Sequence, residues 1–307
     1  MNAFLQALID GIALGSVFAL IALGYTLVYG IIELINFAHG DLFMLTSFAA
    51  LTTLDTLDVG RDSSLPLKMF ALFAALVVPM VFGATLNVLI ERLAYRRLRN
   101  APRLAPLISA IGMSFVLIQI GQTWQGPSSV AFPRAFIPNT NLLESFGTDL
   151  RFTLRNLVVI GSTIPILIGL TYVVNNTRIG KAMRATAQDR DASQLMGINI
   201  NRTIAFAFLL GGALAGAAGL MYGLFTGTMV FTRGFETGLK AFTAAVLGGI
   251  GNLTGAVLGG LIIGIVESMS NRYLQGSWTN AVIFAILIII LVFRPSGLLG
   301  EHVIDKA

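Results

Sequence analysis

The 307-residue chain is 55% hydrophobic but only 11% charged, and it contains no cysteine. Soluble domains carry about a quarter charged residues, so a large soluble domain is excluded, as are thiol chemistry, disulfides and cysteine-ligated metals. The net charge of +5 follows membrane topology and does not form a nucleic-acid footprint.

Apolar runs lie at about 4–29, 41–54, 67–90, 104–123, 154–174, 203–224, 240–267 and 279–293. Several reach the roughly 18–20 residues that cross a bilayer. They predict an all-α, polytopic integral membrane protein with about eight transmembrane helices, forming one domain over 1–307. The N-terminal stretch "MNAFLQALIDGIALG" has no basic region and no clear small-residue cleavage site, so it reads as a retained first helix.

The first run ends in "GYTLVYGIIELINFAHGDLFML", where Gly30, Glu33, Asn36, His39, Gly40 and Asp41 interrupt the apolar sequence. Ionisable residues inside apolar runs are functional candidates. Glu33, Asn36, His39 and Asp41 are therefore candidates for a substrate path, or else they are groups that cap helix ends near a membrane surface. Asp41 suits a first helical turn. His39 and Asp41, two positions apart, would point to different faces of one helix. The two histidines, His39 and His302, are too distant in sequence to suggest a metal site.

The loop after the third run carries Arg92, Arg96, Arg97, Arg99 and Arg103; the loop at about 176–202 carries Arg178, Lys181, Arg184, Arg190 and Arg202. Each such residue costs about 2.5–3.5 kcal/mol at mid-membrane, so both loops are expected to be cytoplasmic. The loops at 55–66 and 124–153 are expected outside. They hold Asp55, Asp58, Asp62, Glu144 and Asp149 against Arg61, Arg134 and Arg151. Glu91 and Glu267 end their runs and read as structural interfacial groups.

The small residues Gly211, Ala215, Gly219, Gly223 and Gly227 recur every fourth position, as do Gly251, Gly255 and Gly259. This spacing allows close backbone approach, and packing within one subunit is expected. The run 240–267 carries Gly248, Gly249, Gly251 and Asn252 in its middle. As a single span it would put Arg294 and Pro295 outside. A broken or re-entrant helix near 240–267 places them in the cytoplasm instead. Gly-interrupted segments in both halves point to a central path, which adds Gly249, Gly251 and Asn252 to the candidates.

Enzyme motifs are absent: there is no P-loop, no H-E-x-x-H and no G-x-S-x-G. The loop "RIGKAMRATAQDRDASQLMGI" instead predicts two short amphipathic helices. Ala182, Met183 and Ala187 make one small apolar face and Ala192, Leu195 and Met196 another, with Gly197 as a C-terminal glycine. A plain connector needs about 2–8 residues, so this loop is either a solvated positive loop or a docking knob for a cytoplasmic partner.

Four ordered stretches, "LGSVFALIALGYTLVYGIIELINFAHGDLFML", "RIGKAMRATAQDRDASQLMGIN", "KAFTAAVLGGIGNLTGAVLGGLIIGIVES" and "RPSGLLG", closely resemble the LivH-type permease subunit of branched-chain amino acid ABC importers. The similarity runs from about Leu5 to Gly300; the segment 124–153 carries no family signature. The resemblance implies a LivM-like second permease, two cytoplasmic ABC ATPase subunits and a periplasmic or lipid-anchored amino acid binding protein, in a bacterial inner membrane. It implies that the loop at 176–202 is the ATPase coupling loop, with Arg184, Ala185, Asp189, Ala192, Leu195 and Gly197 as docking residues. The general importer loop begins Glu-Ala-Ala, whereas here the matching place reads Arg184-Ala185-Thr186. No cofactor is expected in this chain, since ATP and Mg belong to the partner ATPase. The expected cargo is a branched-chain or other hydrophobic amino acid, moved inward by alternating access. Urea or short amides are the alternative cargo within the family. An ion-coupled secondary carrier and a structural or assembly membrane protein are the readings from other classes.

Overall fold

The computed structural model describes residues 2–300 except 61, 100, 103, 134–136, 138–139, 145–149 and 275. Of the residues named above, Arg61, Arg103, Arg134, Asp149 and His302 lie outside the described residues. The chain forms α1 (Asn2–Ile32), α2 (Ala38–Leu57), α3 (Leu65–Ile90), α4 (Leu104–Gln125), α5 (Leu154–Asn176), α6 (Arg178–Gln188), α7 (Arg190–Leu195), α8 (Ile200–Thr226), α9 (Arg233–Gly248), α10 (Leu253–Tyr273) and α11 (Thr279–Phe293). Strands β1 (Val130–Ala131) and β2 (Thr228–Met229) pair antiparallel. Among the described residues six helices are long and apolar enough to span a membrane, and α11 is a shorter apolar helix. The protein is thus a multi-pass, all-α membrane protein.

Burial separates the centre from the rim. The apolar windows of α1 and α8 are 78% and 72% buried, while those of α3, α4 and α5 bury only 22–28% and turn the rest outward. That outward apolar surface suits a bilayer environment. The centre is assembled through backbone approach at small residues. Helices α1 and α10 run antiparallel: a Cβ on Gly11 would lie 2.7 Å from Ile265 Cα, and one on Gly15 2.8 Å from Leu261 Cα. Helices α3 and α8 pair in the same manner, with Gly216 against Pro79 and Met80, and Gly212 against Gly83. Gly211, Gly219 and Gly223 pack on Gly24, Ser47 and Phe132, all within the chain, as expected of the four-residue spacing.

Helix α1 breaks into α2, and α8 breaks into α9, after the matching dipeptides Tyr29-Gly30 and Tyr222-Gly223. The first turns of α2 and α9 then meet. A Cβ on Gly40 would sit 2.8 Å from Gly238 Cα, and one on Gly234 2.8 Å from the carbonyl oxygen of Gly40.

The break expected within 240–267 is present, with a longer first arm that begins at Arg233. Gly249 and Gly251 take φ of 106° and 96°, a region that L side chains avoid. Helices α9 and α10 fold back on each other as a hairpin, with Gly248 against Gly255 and Ala244 against Gly259. A helix end leaves its last carbonyls without partners. Here the C-terminal tail supplies them: Leu298 N donates to Leu247 O at 2.8 Å and Leu299 N to Gly248 O at 3.0 Å. Asn252 caps α10 by accepting from Gly255 N at 2.9 Å, and its Nδ2 donates to Leu299 O at 2.8 Å.

These contacts fix which loops share an end of the bundle. Arg99 donates to Asn201 Oδ1 at 2.7 Å, and Arg190 to Ile31 O at 2.8 Å. A Cβ on Gly30 would lie 3.4 Å from Gly251 Cα. The two arginine-rich loops, the end of α1 and the 249–252 break therefore lie together at the connector end. At the opposite end Gln6 Nε2 donates to Arg151 O at 3.0 Å, which joins the start of α1 to the 124–153 loop.

Candidate functional site

Two polar regions stand out in an otherwise apolar bundle. The first surrounds the start of α2. After Ile32 the backbone leaves the helix; Glu33 takes a φ of 54°, left-handed for a residue with a Cβ. Asn36 then turns inward. Its Nδ2 donates to Asn87 Oδ1 at 3.4 Å, Asn87 Nδ2 donates to Phe208 O at 2.6 Å, and the Tyr95 hydroxyl donates to Asn36 Oδ1 at 3.2 Å. The break is thereby tied to α3 and α8. His39, fully buried, packs on Gly24 and edge-on to Tyr25, with ring centroids 4.8 Å apart. Asp41, also fully buried in the first turn of α2, accepts a short hydrogen bond from Ser114 of α4. Its other oxygen, Oδ1, has no partner among the described residues and faces Gly234 of α9.

The predicted path residues are therefore only partly gathered. Asn36, His39 and Asp41 are all buried at the start of α2 but engage different neighbours, and no side-chain hydrogen bond among the described residues joins them. Glu33 is exposed at the connector end. Gly249, Gly251 and Asn252 form the second break and meet the first through Gly30.

The second region is the connector end. Helices α6 and α7 form as expected from the loop sequence. Thr177 caps α6 by accepting from Gly180 N at 3.1 Å, and Asp189 caps α7 by accepting from Ala192 N at 2.9 Å. Gly197 closes α7 with a φ of 83°. Met183 and Thr186 turn inward and are buried. Arg184 donates to the carbonyls of Val174 and Asn175, ending α5. Ala185 is half-buried, while Ala192 and Gly197 are exposed. At the tip Leu195 and Met196 are 89% and 82% exposed, so the second apolar face has no cover within this chain.

Beside it lies an ion network. The carboxylate of Glu91, fully buried, accepts from Arg96 at 2.7 Å and 3.1 Å and from Arg99. Burial draws the Arg99 guanidinium below its ordinary range, and Glu91 opposes that shift; an arginine stays charged regardless. Away from the connector end, further along the α9–α10 hairpin, Lys240 of α9 pairs with Glu267 of α10 at 2.8 Å and with Glu236 at 3.4 Å. The structural role expected of Glu91 and Glu267 agrees with these pairings.

Sequence reasoning missed Asn87, Tyr95, Ser114, Lys240 and Arg190 as polar partners. Asn87 and Lys240 carried a signal, being polar residues inside apolar runs. Ser114 and Tyr95 carried none, since either is common in membrane helices. Among the described residues no cluster of three or more His, Cys, Asp or Glu has a metal-holding arrangement.

Comparison with known proteins places this architecture. Residues 7–291 match the family model described as "Branched-chain amino acid transport system / permease component". The chain is 41% identical over 304 residues to the high-affinity branched-chain amino acid transport system permease protein BraD of Pseudomonas aeruginosa, covering 99% of this chain and 98% of that one. It is equally 41% identical to LivH of Escherichia coli K12, over 99% and 97% of the two chains. A more distant relative, the probable LivH of Methanocaldococcus jannaschii, is 30% identical over 92% of this chain and 88% of its own. No solved structure matches. Full-length similarity to transport permeases, on a multi-pass bundle with no enzyme motif, makes this chain a membrane transport subunit and a member of the LivH-type family of branched-chain amino acid transport system permease components.

Proposed function

We propose that this chain is one transmembrane half of an ATP-driven importer for branched-chain or other hydrophobic amino acids, and that α6 and α7 dock into a cytoplasmic ATPase. One observation carries the docking role: the Leu195–Met196 tip, two large apolar side chains almost wholly exposed on a pair of capped helices. Apolar surface offered to water from a rigid support marks an interaction site. The connector end is cytoplasmic in this reading, by the arginine bias of its two loops. A LivM-like permease forms the other half, and a binding protein delivers cargo at the opposite end.

Cargo passes near the two helix breaks. The N-termini of α2 and α9 converge at Gly40 and Gly234, and the N-terminus of α10 opens at Asn252. Helix N-termini favour a carboxylate, and Asp41 offers an oxygen to an ammonium group. Alternating access opens this closed centre when the ATPase pulls on α6 and α7. Relatives named as branched-chain amino acid permeases support the cargo class.

The experiment is reconstitution in liposomes with the neighbouring permease, ATPase and binding protein. ATP-dependent uptake of leucine, isoleucine and valine that needs every component is expected. Uptake driven by an ion gradient without the ATPase would favour the secondary-carrier reading.

A further inference from the structure

At the connector end a cavity of about 280 Å³ opens between the end of α1, the start of α4 and helix α6. It lies near the lower end of the range for small-molecule sites. Its polar lining is Glu33, Arg99, Thr186, Gln188 and Arg190. Two of these groups are buried without a partner among the described residues: the Thr186 hydroxyl, on a residue only 1% exposed, and Arg99 Nε. A buried hydroxyl or N–H left unpaired is unfavourable, so such groups call for a ligand or ordered water. Arg190 spends one nitrogen on Ile31 O and no other hydrogen bond of its guanidinium is formed among the described residues. Glu33 also lines the cavity, takes a left-handed φ of 54° and makes no ion pair among the described residues. The lining thus holds both donors for an anion and a carboxylate for a cation.

We propose that this cavity binds a free amino acid from the cytoplasmic side: its carboxylate at Arg190, Arg99 and Thr186, its ammonium at Glu33. Bound there, the zwitterion bridges helix α6 and the end of α1. It locks the drive helices to the first helix break, so accumulated product slows the transporter. This inference rests on the docking role proposed for α6 and α7. Ion pairing at both ends of one small molecule also explains why opposite charges line the cavity without closing on each other.

The test uses the full complex of both permeases and the ATPase in nanodiscs, without binding protein, and radiolabelled leucine. Leucine is expected to bind and to lower ATP hydrolysis several-fold. Thr186→Val and Arg190→Gln are each expected to weaken that binding at least fivefold. 4-Methylpentanoate, which lacks the ammonium, and isopentylamine, which lacks the carboxylate, should compete at least tenfold more weakly than leucine. Leucine binding unchanged in Thr186→Val and Arg190→Gln would overturn the site, as would no binding at all. Competition by either analogue equal to leucine would overturn the zwitterion assignment. ATP-dependent uptake in the same preparation, with binding protein restored, separates the outcomes: if uptake works while ATP hydrolysis ignores leucine, this inference fails and the importer reading stands.

Discussion

Arg190, the first residue of α7, donates a hydrogen bond of 2.8 Å to the carbonyl of Ile31, in the last turn of α1. The bond joins the exposed helices α6 and α7 to the break at 33–36, and Asn36 in that break is tied in turn to Asn87 and Tyr95. The bond gives the proposed movement of α7 a direct route to the segment that sets where α2 begins.

Removing that link should uncouple the machine without dismantling it. A hydrogen bond from a charged donor contributes about 1.5–3 kcal/mol. Arg190→Ala is expected to retain the ATPase and most of its basal ATP hydrolysis while amino acid uptake falls about tenfold or more. The ratio of molecules moved to ATP hydrolysed, measured in liposomes, reports this. An unchanged ratio would reduce Arg190 to a surface residue.

The meeting of α2 and α9 leaves no room for a side chain. A Cβ on Gly40 would lie 2.5 Å from the carbonyl oxygen of Gly234, and that neighbour is backbone. Overpacking of this kind costs about 1–3 kcal/mol. Gly40→Val should lower the thermal midpoint of the purified protein by several degrees, whereas Gly112→Val, with open space around its Cβ, should not. Equal midpoints for both variants would contradict the close approach.

Glu91 is fully buried between Arg96 and Arg99. Removing one member of a buried ion pair typically destabilises by about 3–5 kcal/mol, because the remaining charge is left uncompensated. Both arginines keep some exposure, so Glu91→Gln is expected to cost about 2–3 kcal/mol. Unfolding in a denaturing detergent titration measures it.

Much of this arrangement was legible in the sequence, because bilayer physics writes itself plainly. Long apolar runs can only be helices there, and glycines every fourth residue can pack backbone to backbone. The break at Gly249 and Gly251 was readable from the conflict it removed in the loop charges. The presence of α6 and α7 followed from two small apolar faces and a closing glycine, although the polar gap expected over 188–191 is only Asp189. Other features were not readable. Nothing local announces that Ser114 meets Asp41, or that Gly40 meets Gly234, since those contacts join residues far apart in the chain. The tail's role was equally hidden: Leu298 and Leu299 act through backbone N–H groups, which every residue but proline possesses.

Sidedness follows from the same charges. The absence of native cysteine allows single probes. Gln194→Cys and Asp62→Cys both place an exposed residue at opposite ends of the bundle. An impermeant thiol reagent added to sealed cells should label the cysteine at 62 and leave that at 194 untouched until the cells are opened. Labelling at 194 from outside would invert the orientation.

The most direct measurement of the docking role follows uptake and ATPase retention side by side in variants of the exposed tip. Leu195→Asp and Met196→Asp replace apolar surface that this chain leaves almost wholly exposed. Gly197→Trp adds bulk at a position whose φ of 83° suits only a residue without a Cβ. All three should insert normally, because the tip stands clear of the bundle. Each should lose at least ten-fold in co-purified ATPase and lose uptake in proportion. Uptake that continues at the wild-type rate with the ATPase absent would contradict the account.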